Sequence, residues 1–137
     1  MSGTCSGLRV LDFTRGRAGP IATMVLADYG ADVIRIEPSG GKPTSEDATH
    51  LLLNRGKRSI ELDLETTEGR EEFERLVASS DVLIESLGGS EPKRLGIDYR
   101  TISGINPGLV YLSITGYGPT GPFADVVADD GLAMAKA

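Results

Sequence analysis

Apolar and polar positions change their period in blocks along this chain. Leu8 to Phe13 (LRVLDF) is a short, largely apolar run, the pattern of a buried strand. Thr14 to Gly19 follows as a polar, glycine-containing turn that holds Arg15 and Arg17. Pro20 falls where the pattern predicts the first residue of a helix, a place that suits its fixed φ and missing N–H. Ala22, Val25, Leu26 and Tyr29 recur at helical spacing and predict one buried apolar face, with Gly30 as the stop. Asp32 to Glu37 (DVIRIE) reads as a second strand. Strand, turn, helix and strand in that order make a crossover unit, which implies parallel strands and a right-handed connection.

The alternation of strands with helices and loops continues. Ser39 to Asp47 is rich in Gly, Pro, Ser and Thr and reads as a loop, either a lid or an exposed connection. Leu51 to Leu53 leads into the cationic turn Asn54 to Arg58, and Ser59 to Leu64 (SIELDL) alternates with the period of a half-buried strand. Thr66 or Thr67 can cap the next helix, whose buried stripe is Phe73, Leu76 and Val77 and whose other face is charged. Asp81 to Glu85 (DVLIE) is a strand, Leu87 to Ser90 a glycine-rich turn, and Lys93-Arg94 a second cationic pair. Asp98 to Ile105 is a short helix closed by Asn106-Pro107-Gly108, and Leu109 to Thr115 (LVYLSIT) is the last clear strand. Gly116 to Pro122 is a glycine- and proline-shaped loop, and a further helix opens near Asp129 and is cut short at Ala137, the mark of a fragment. The predicted class is α/β with a mostly parallel, doubly wound sheet, apparently truncated.

That architecture locates a candidate site. The turns carrying Arg15/Arg17 and Lys93/Arg94 should lie at carboxyl ends of strands, where helix N-termini offer free N–H groups to an anion, and the two turns could converge on one. The competing reading is a plain structural turn with solvated arginines. Composition narrows the ligand class. At 137 residues with a net charge of −6, the chain is one domain's worth of sequence without the basic surface that nucleic acid requires. Cys5 is the sole cysteine, placed in an N-terminal tail expected to be mobile, and fits a reducing compartment. No apolar run is long enough to span a bilayer and no signal peptide is evident, which together read as cytoplasmic. His50, the sole histidine, has no carboxylate or cysteine constellation beside it and reads as a surface residue.

Familiar chemical motifs are missing. The first turn reads TRGRAGP, not G-x-G-x-x-G, although Glu37 stands where a ribose-binding acid would fall. There is no P-loop, no nucleophile elbow and no metal-ligand spacing. Asp129-Asp130 is an adjacent carboxylate pair, read as acids favoured at a helix start.

The ordered segments LRVLDFT, AGP, LADYGADVIRIEP, NRGKRSIELDL, EGRE, SDVLIE, KRLGIDY and INPGLVYLSITGYGPTGP resemble the N-terminal part of the class III (CaiB/BaiF-type) coenzyme A transferases. That family includes formyl-CoA transferase, carnitine CoA-transferase and α-methylacyl-CoA racemase. The resemblance implies a Rossmann-like large domain, of which residues 1–137 are the N-terminal part, with the second domain absent from this chain. It implies acyl-CoA and a carboxylic acid acceptor as substrates, no permanently bound cofactor, and a full-length form in which two copies interlock. It implies CoA contacts at Arg17 and Ala18, at Leu62 to Glu65, at Ser86, Leu87 and Gly88, and at Arg94 and Leu95. The transfer runs through an aspartyl-CoA intermediate, and the nucleophilic aspartate is expected beyond Ala137, so the chain alone is read as inactive. A racemase-like enzyme, or a non-catalytic CoA-binding or assembly subunit, are the alternatives. The sequence departs from the family at Arg17, where transferases commonly have glutamine, at Pro38, where a basic residue is common, and at Ser86, where asparagine is common. Asp129-Asp130 matches a Tyr-Asp or His-Asp pair, so a racemase-type histidine is missing there.

Overall fold

The computed structural model describes residues 3–40 and 48–126, together with Ala135. The elements run β1 (Arg9–Phe13), α1 (Ala18–Asp28), β2 (Asp32–Pro38), α2 (Ala48–Leu53), β3 (Arg58–Leu62), α3 (Thr67–Ala78), β4 (Val82–Glu85), α4 (Glu91–Arg94), α5 (Tyr99–Ile105) and β5 (Val110–Ser113). The five strands form one sheet in the order β3-β2-β1-β4-β5, and every pairing is parallel. The chain winds outward from β1 to β3 and then crosses back to lay β4 against the free side of β1, with Val10 opposite Val82 and Phe13 opposite Glu85. This is the Rossmann-like arrangement, and the β1/β4 junction is its topological switch point.

Strand alternation sends side chains to two cores. Leu11, Phe13, Ile34, Ile36 and Leu83 face α3 and α5, where Phe73, Val77, Ile97 and Ile102 close the larger core. Phe73 is fully buried, with its ring 5.5 Å from that of Phe13 in an edge-to-face contact. Removing such a side chain from water contributes about 2–3 kcal/mol. Val10, Val33 and Ile84 face the other way, onto Leu26 and Ala27 of α1. Thr66 caps α3 by accepting from Gly69 N at 3.1 Å, and Asp98 caps α5 through Arg100 N and Thr101 N.

Three expectations require correction. First, α1 begins at Ala18, so Pro20 is its third residue; its missing N–H still falls among the donors that no helix satisfies internally. Second, α1 does not bury the face drawn by its large apolar residues. Gly19, Pro20 and Thr23 are buried, whereas Val25 and Tyr29 are 42% and 56% exposed. The cause is a polar contact: Thr23 Oγ1 donates to the fully buried Asp12 at 2.7 Å, which turns the small residues toward the sheet. Gly19 then lies so close to Thr14 that a β-carbon would overlap the threonine side chain. Third, the segment around Cys5 is tied down: Cys5 N donates to Tyr29 O at 2.9 Å, satisfying a carbonyl at the end of α1, and the thiol side chain packs on the smaller core.

The run Leu51 to Leu53 that leads into the cationic turn ends a short helix, α2, and His50 lies in its last turn, with its carbonyl accepting from Asn54 Nδ2 at 2.9 Å. The strand expected over residues 59–64 is Arg58–Leu62, a sheet edge with Ile60 and Leu62 turned to the core. Residues 41–47 of the expected loop, the Asp129-Asp130 pair and most of the expected last helix lie outside the described residues.

Candidate functional site

Because the strands run parallel, the turns after β1 and β4 open on the same rim. Each begins with a buried carboxylate that accepts a backbone amide two residues on. Asp12 Oδ1 accepts from Thr14 N at 2.9 Å, and Glu85 Oε2 accepts from Leu87 N at 2.8 Å. Both acids are essentially inaccessible to solvent. The two turns are joined by Ser86, whose Oγ accepts from Arg15 N at 2.7 Å and donates to Arg15 O at 3.0 Å. Arg15, Arg17 and Ala18 are exposed on this rim, at the N-terminus of α1. Beside the β4 turn, Glu85, Gly88, Gly89, Pro92, Ser113 and Thr115 line a cavity of about 100 Å³. Tyr111 donates to Glu85 Oε1 at 3.4 Å, and burial, with the Glu85 charge next, pushes its phenol well above the usual range.

A second cluster stands at α4. Arg94 Nε and Nη2 donate to the two oxygens of Glu91 at 2.9 and 2.8 Å, and Nη1 donates to Glu65 at 2.9 Å. The Glu91 hydrogen bond and then that of Glu65 raise the Arg94 pKa further above its ordinary value. The Arg94 hydrogen bond is the main cause that holds the Glu91 carboxyl below its usual range, with Arg15 adding to it through space. Leu95 packs its side chain on the larger core and accepts at its carbonyl from Arg70 Nη2.

The structure therefore separates the expected site residues into two groups. Arg17, Ala18, Ser86, Leu87 and Gly88 gather at the β1/β4 rim, while Glu65, Arg94 and Leu95 gather where α4 meets the turn after β3. Leu62 ends β3 with its side chain against the core, opposite Pro38. Arg94 is engaged by the chain's own Glu91 and Glu65. Glu37 is engaged by Arg35, with Nε 3.4 Å from its Oε1. No cluster of three or more metal-ligating side chains occurs among the described residues.

The buried ionic centre behind the first turn escapes sequence reasoning. Lys57, assigned only to a cationic turn, has a 1% exposed side chain whose Nζ lies 3.0 Å from Asp12 Oδ2. Burial pulls the Lys57 pKa down, opposed by the Asp12 charge. Arg35, also buried, donates to Thr14 O at 3.3 Å and lies 3.9 Å from Asp12. The available signal was an aspartate inside an otherwise apolar strand, since a carboxylate is buried there only with partners.

Comparison with known proteins sets this geometry in a family. The model of CoA-transferase family III matches residues 5–137. The chain is 44% identical to a succinate–glutarate CoA-transferase of Agrobacterium fabrum over 91% of its own length and 35% of the relative's. It is 39% identical to a formyl-CoA:oxalate CoA-transferase of Escherichia coli over 98% of its length and 35% of the relative's. The crystal structure of a CAIB/BAIF family protein from Brucella suis superposes with a TM-score of 0.86 at 38% identity, covering 99% of this chain and 39% of that one. The chain thus spans about a third of the length of the curated relatives it matches. No helix among the described residues is long and apolar enough to cross a membrane.

Proposed function

The chain belongs to CoA-transferase family III, and from that premise we propose that it supplies part of the coenzyme A site of an enzyme that moves CoA from an acyl thioester to a free carboxylate. The observation that carries this reading is the Ser86–Arg15 lock, which brings the N-terminus of α1 and the β4 turn onto one rim. The N-terminus of α1, with Arg15 and Arg17, suits the phosphates of the ligand. Arg94 adds a planar donor fork for a further phosphate once the ligand displaces Glu91 from it, and Leu62 to Glu65 and Leu95 lie beside it. The two curated relatives both act in CoA transfer by their names, which favours transfer over racemisation.

In the proposed chemistry, an aspartate assigned to a position past Ala137 attacks the acyl carbonyl and expels the CoA thiolate, giving a mixed anhydride. The thiolate then attacks the aspartyl carbonyl and releases the first carboxylate, leaving an aspartyl-CoA thioester. The acceptor carboxylate repeats the two steps in reverse. Covalent catalysis splits the exchange in this way only if the thiolate is held nearby between steps. Holding the CoA phosphates is the part assigned to the residues described here. The full-length partner is a second copy of the same protein.

An amide-resolved NMR titration with free CoA tests the reading. Shifts are expected at Arg17, Leu62, Ser86 and Arg94, with Arg94→Ala weakening binding about tenfold, as loss of a charge-assisted contact implies. A folded chain without shifts at millimolar CoA would overturn it.

A further inference from the structure

We propose that Asp12 and Lys57 are positioning residues, which set the β1 turn and the first turn of α1 in their ligand-facing geometry without meeting the ligand. This inference rests on the CoA-binding reading above. Asp12 divides its two oxygens between two jobs. Oδ1 accepts from the amide and the hydroxyl of Thr14 and so fixes the turn; Oδ2 accepts from Thr23 at 2.7 Å and from Lys57 at 3.0 Å and so fixes the helix. Lys57 spends its three donors at one place: Asp12 Oδ2, the Pro20 carbonyl at 3.1 Å and Asn54 Oδ1 at 3.1 Å. It thereby ties the first turn of α1, through Pro20, to the segment that leads into β3. The single Thr23 hydroxyl proton goes to Asp12, its shortest contact, with the Gly19 and Pro20 carbonyls farther off at 3.2 Å.

Stability alone does not account for this pair. Asp12 and Lys57 have side chains 0% and 1% exposed, and a buried ion pair is commonly no more stabilising than apolar residues of the same size. What such residues cannot supply is directed bonds to a carbonyl, an amide and a hydroxyl at once. Those bonds converge on residues 12–23, the stretch that ends β1, makes the turn and starts α1. The pair also shapes the local field. Lys57 and Arg35 place two buried cations beside one buried carboxylate, with the partly exposed Glu37 next to Arg35, behind a helix N-terminus proposed to face phosphate.

The test is the double variant Asp12→Asn with Lys57→Met in the full chain, which removes both charges together and keeps the volumes similar. Two readouts are taken: amide shifts of residues 14–19 without ligand, and affinity for CoA. The expected result is unchanged sheet amides, displaced turn amides, and CoA binding weakened about tenfold, as loss of one well-aligned hydrogen bond to a charged group implies. A role in stability alone would lower the urea midpoint and leave the affinity of the folded molecules intact. Unmoved turn amides, or wild-type affinity in a folded double variant, would overturn the proposal. Displaced turn amides in a protein whose wild type does not bind CoA would support the positioning role and sink the CoA reading. If the double variant does not fold, Thr23→Val removes the helix clasp and leaves the ion pair; about threefold weaker binding with displaced turn amides is then expected, and wild-type values for both overturn the proposal.

Discussion

Ser86 holds Arg15 by both ends of its peptide chemistry, accepting from the amide and donating to the carbonyl, at 2.7 and 3.0 Å. The bonds join turns 71 residues apart in the chain. Ser86→Ala removes both at a partly exposed position, so the loss of stability should be about 1 kcal/mol. Urea unfolding measures that loss, and hydrogen exchange at the Arg15 amide should accelerate while exchange in β1 stays slow.

Gly19 and Gly104 offer an opposed pair of substitutions. A β-carbon at Gly19 meets the Thr14 side chain inside a packed helix–strand contact, so Gly19→Ala should destabilise by about 1–3 kcal/mol. Gly104 lies in α5 with nothing within 4 Å of a new β-carbon. Gly104→Ala should stabilise by about 0.5–1 kcal/mol through the lower entropy of the unfolded chain. Thermal unfolding of the two variants should move in opposite directions.

Glu91 competes with the proposed ligand for Arg94. Its carboxyl is held below the usual range, chiefly by the Arg94 hydrogen bond, so it remains ionised at neutral and mildly acidic pH. Glu91→Gln should therefore tighten CoA binding several-fold near neutral pH, as removal of a like charge from beside a phosphate implies. Calorimetric titration of both proteins checks this, and equal affinities would refute it.

Tyr111 should govern part of the alkaline limit. Burial, then the charge of Glu85, raises its pKa, so the folded protein keeps a proton that the unfolded chain releases above about pH 10. The folded state then binds more protons, and stability must fall as pH rises past that point. Lys57, with its pKa lowered by burial, acts with the opposite sign over the window ending at 10.5. The informative comparison is thus between wild type and Tyr111→Phe, and the variant should lose less stability between about pH 9 and about pH 11.

How much could be read from the sequence depended on where the deciding interaction lay. The apolar runs of β1, β2 and β4 declare themselves because strands covered on both faces need little else, whereas β5 shows as an apolar run although Val110 and Leu112 stay exposed at the sheet edge. The capping of α3 is local and was legible for that reason, down to a choice between Thr66 and Thr67 that the structure settles as Thr66. The inward face of α1 was not, because the choice between Val25 and Thr23 is made by Asp12, a residue outside the helix. Lys57 was read only as part of a cationic turn because its partner lies 45 residues earlier, a distance at which spacing carries no information. Arg94 was read as half of a cationic pair that could share an anion with Arg15 and Arg17, and its engagement by two carboxylates required the positions of both Glu65 and Glu91.

The pairing of β1 with β4 also sets an order of events in folding. Its register joins Val10 to Val82, so the centre of the sheet must wait while the intervening β2, α2, β3 and α3 are made. Parallel sheets contain no local pairings, and their chains collapse slowly because loop closure precedes any gain from contact. On the ribosome, β1 should emerge long before its second neighbour exists, leaving one side of an apolar strand unpaired during synthesis. The rim between Arg15 and Ser86 consequently cannot exist in any shorter nascent chain, and ligand recognition there should appear abruptly, at the length that admits β4 and its turn.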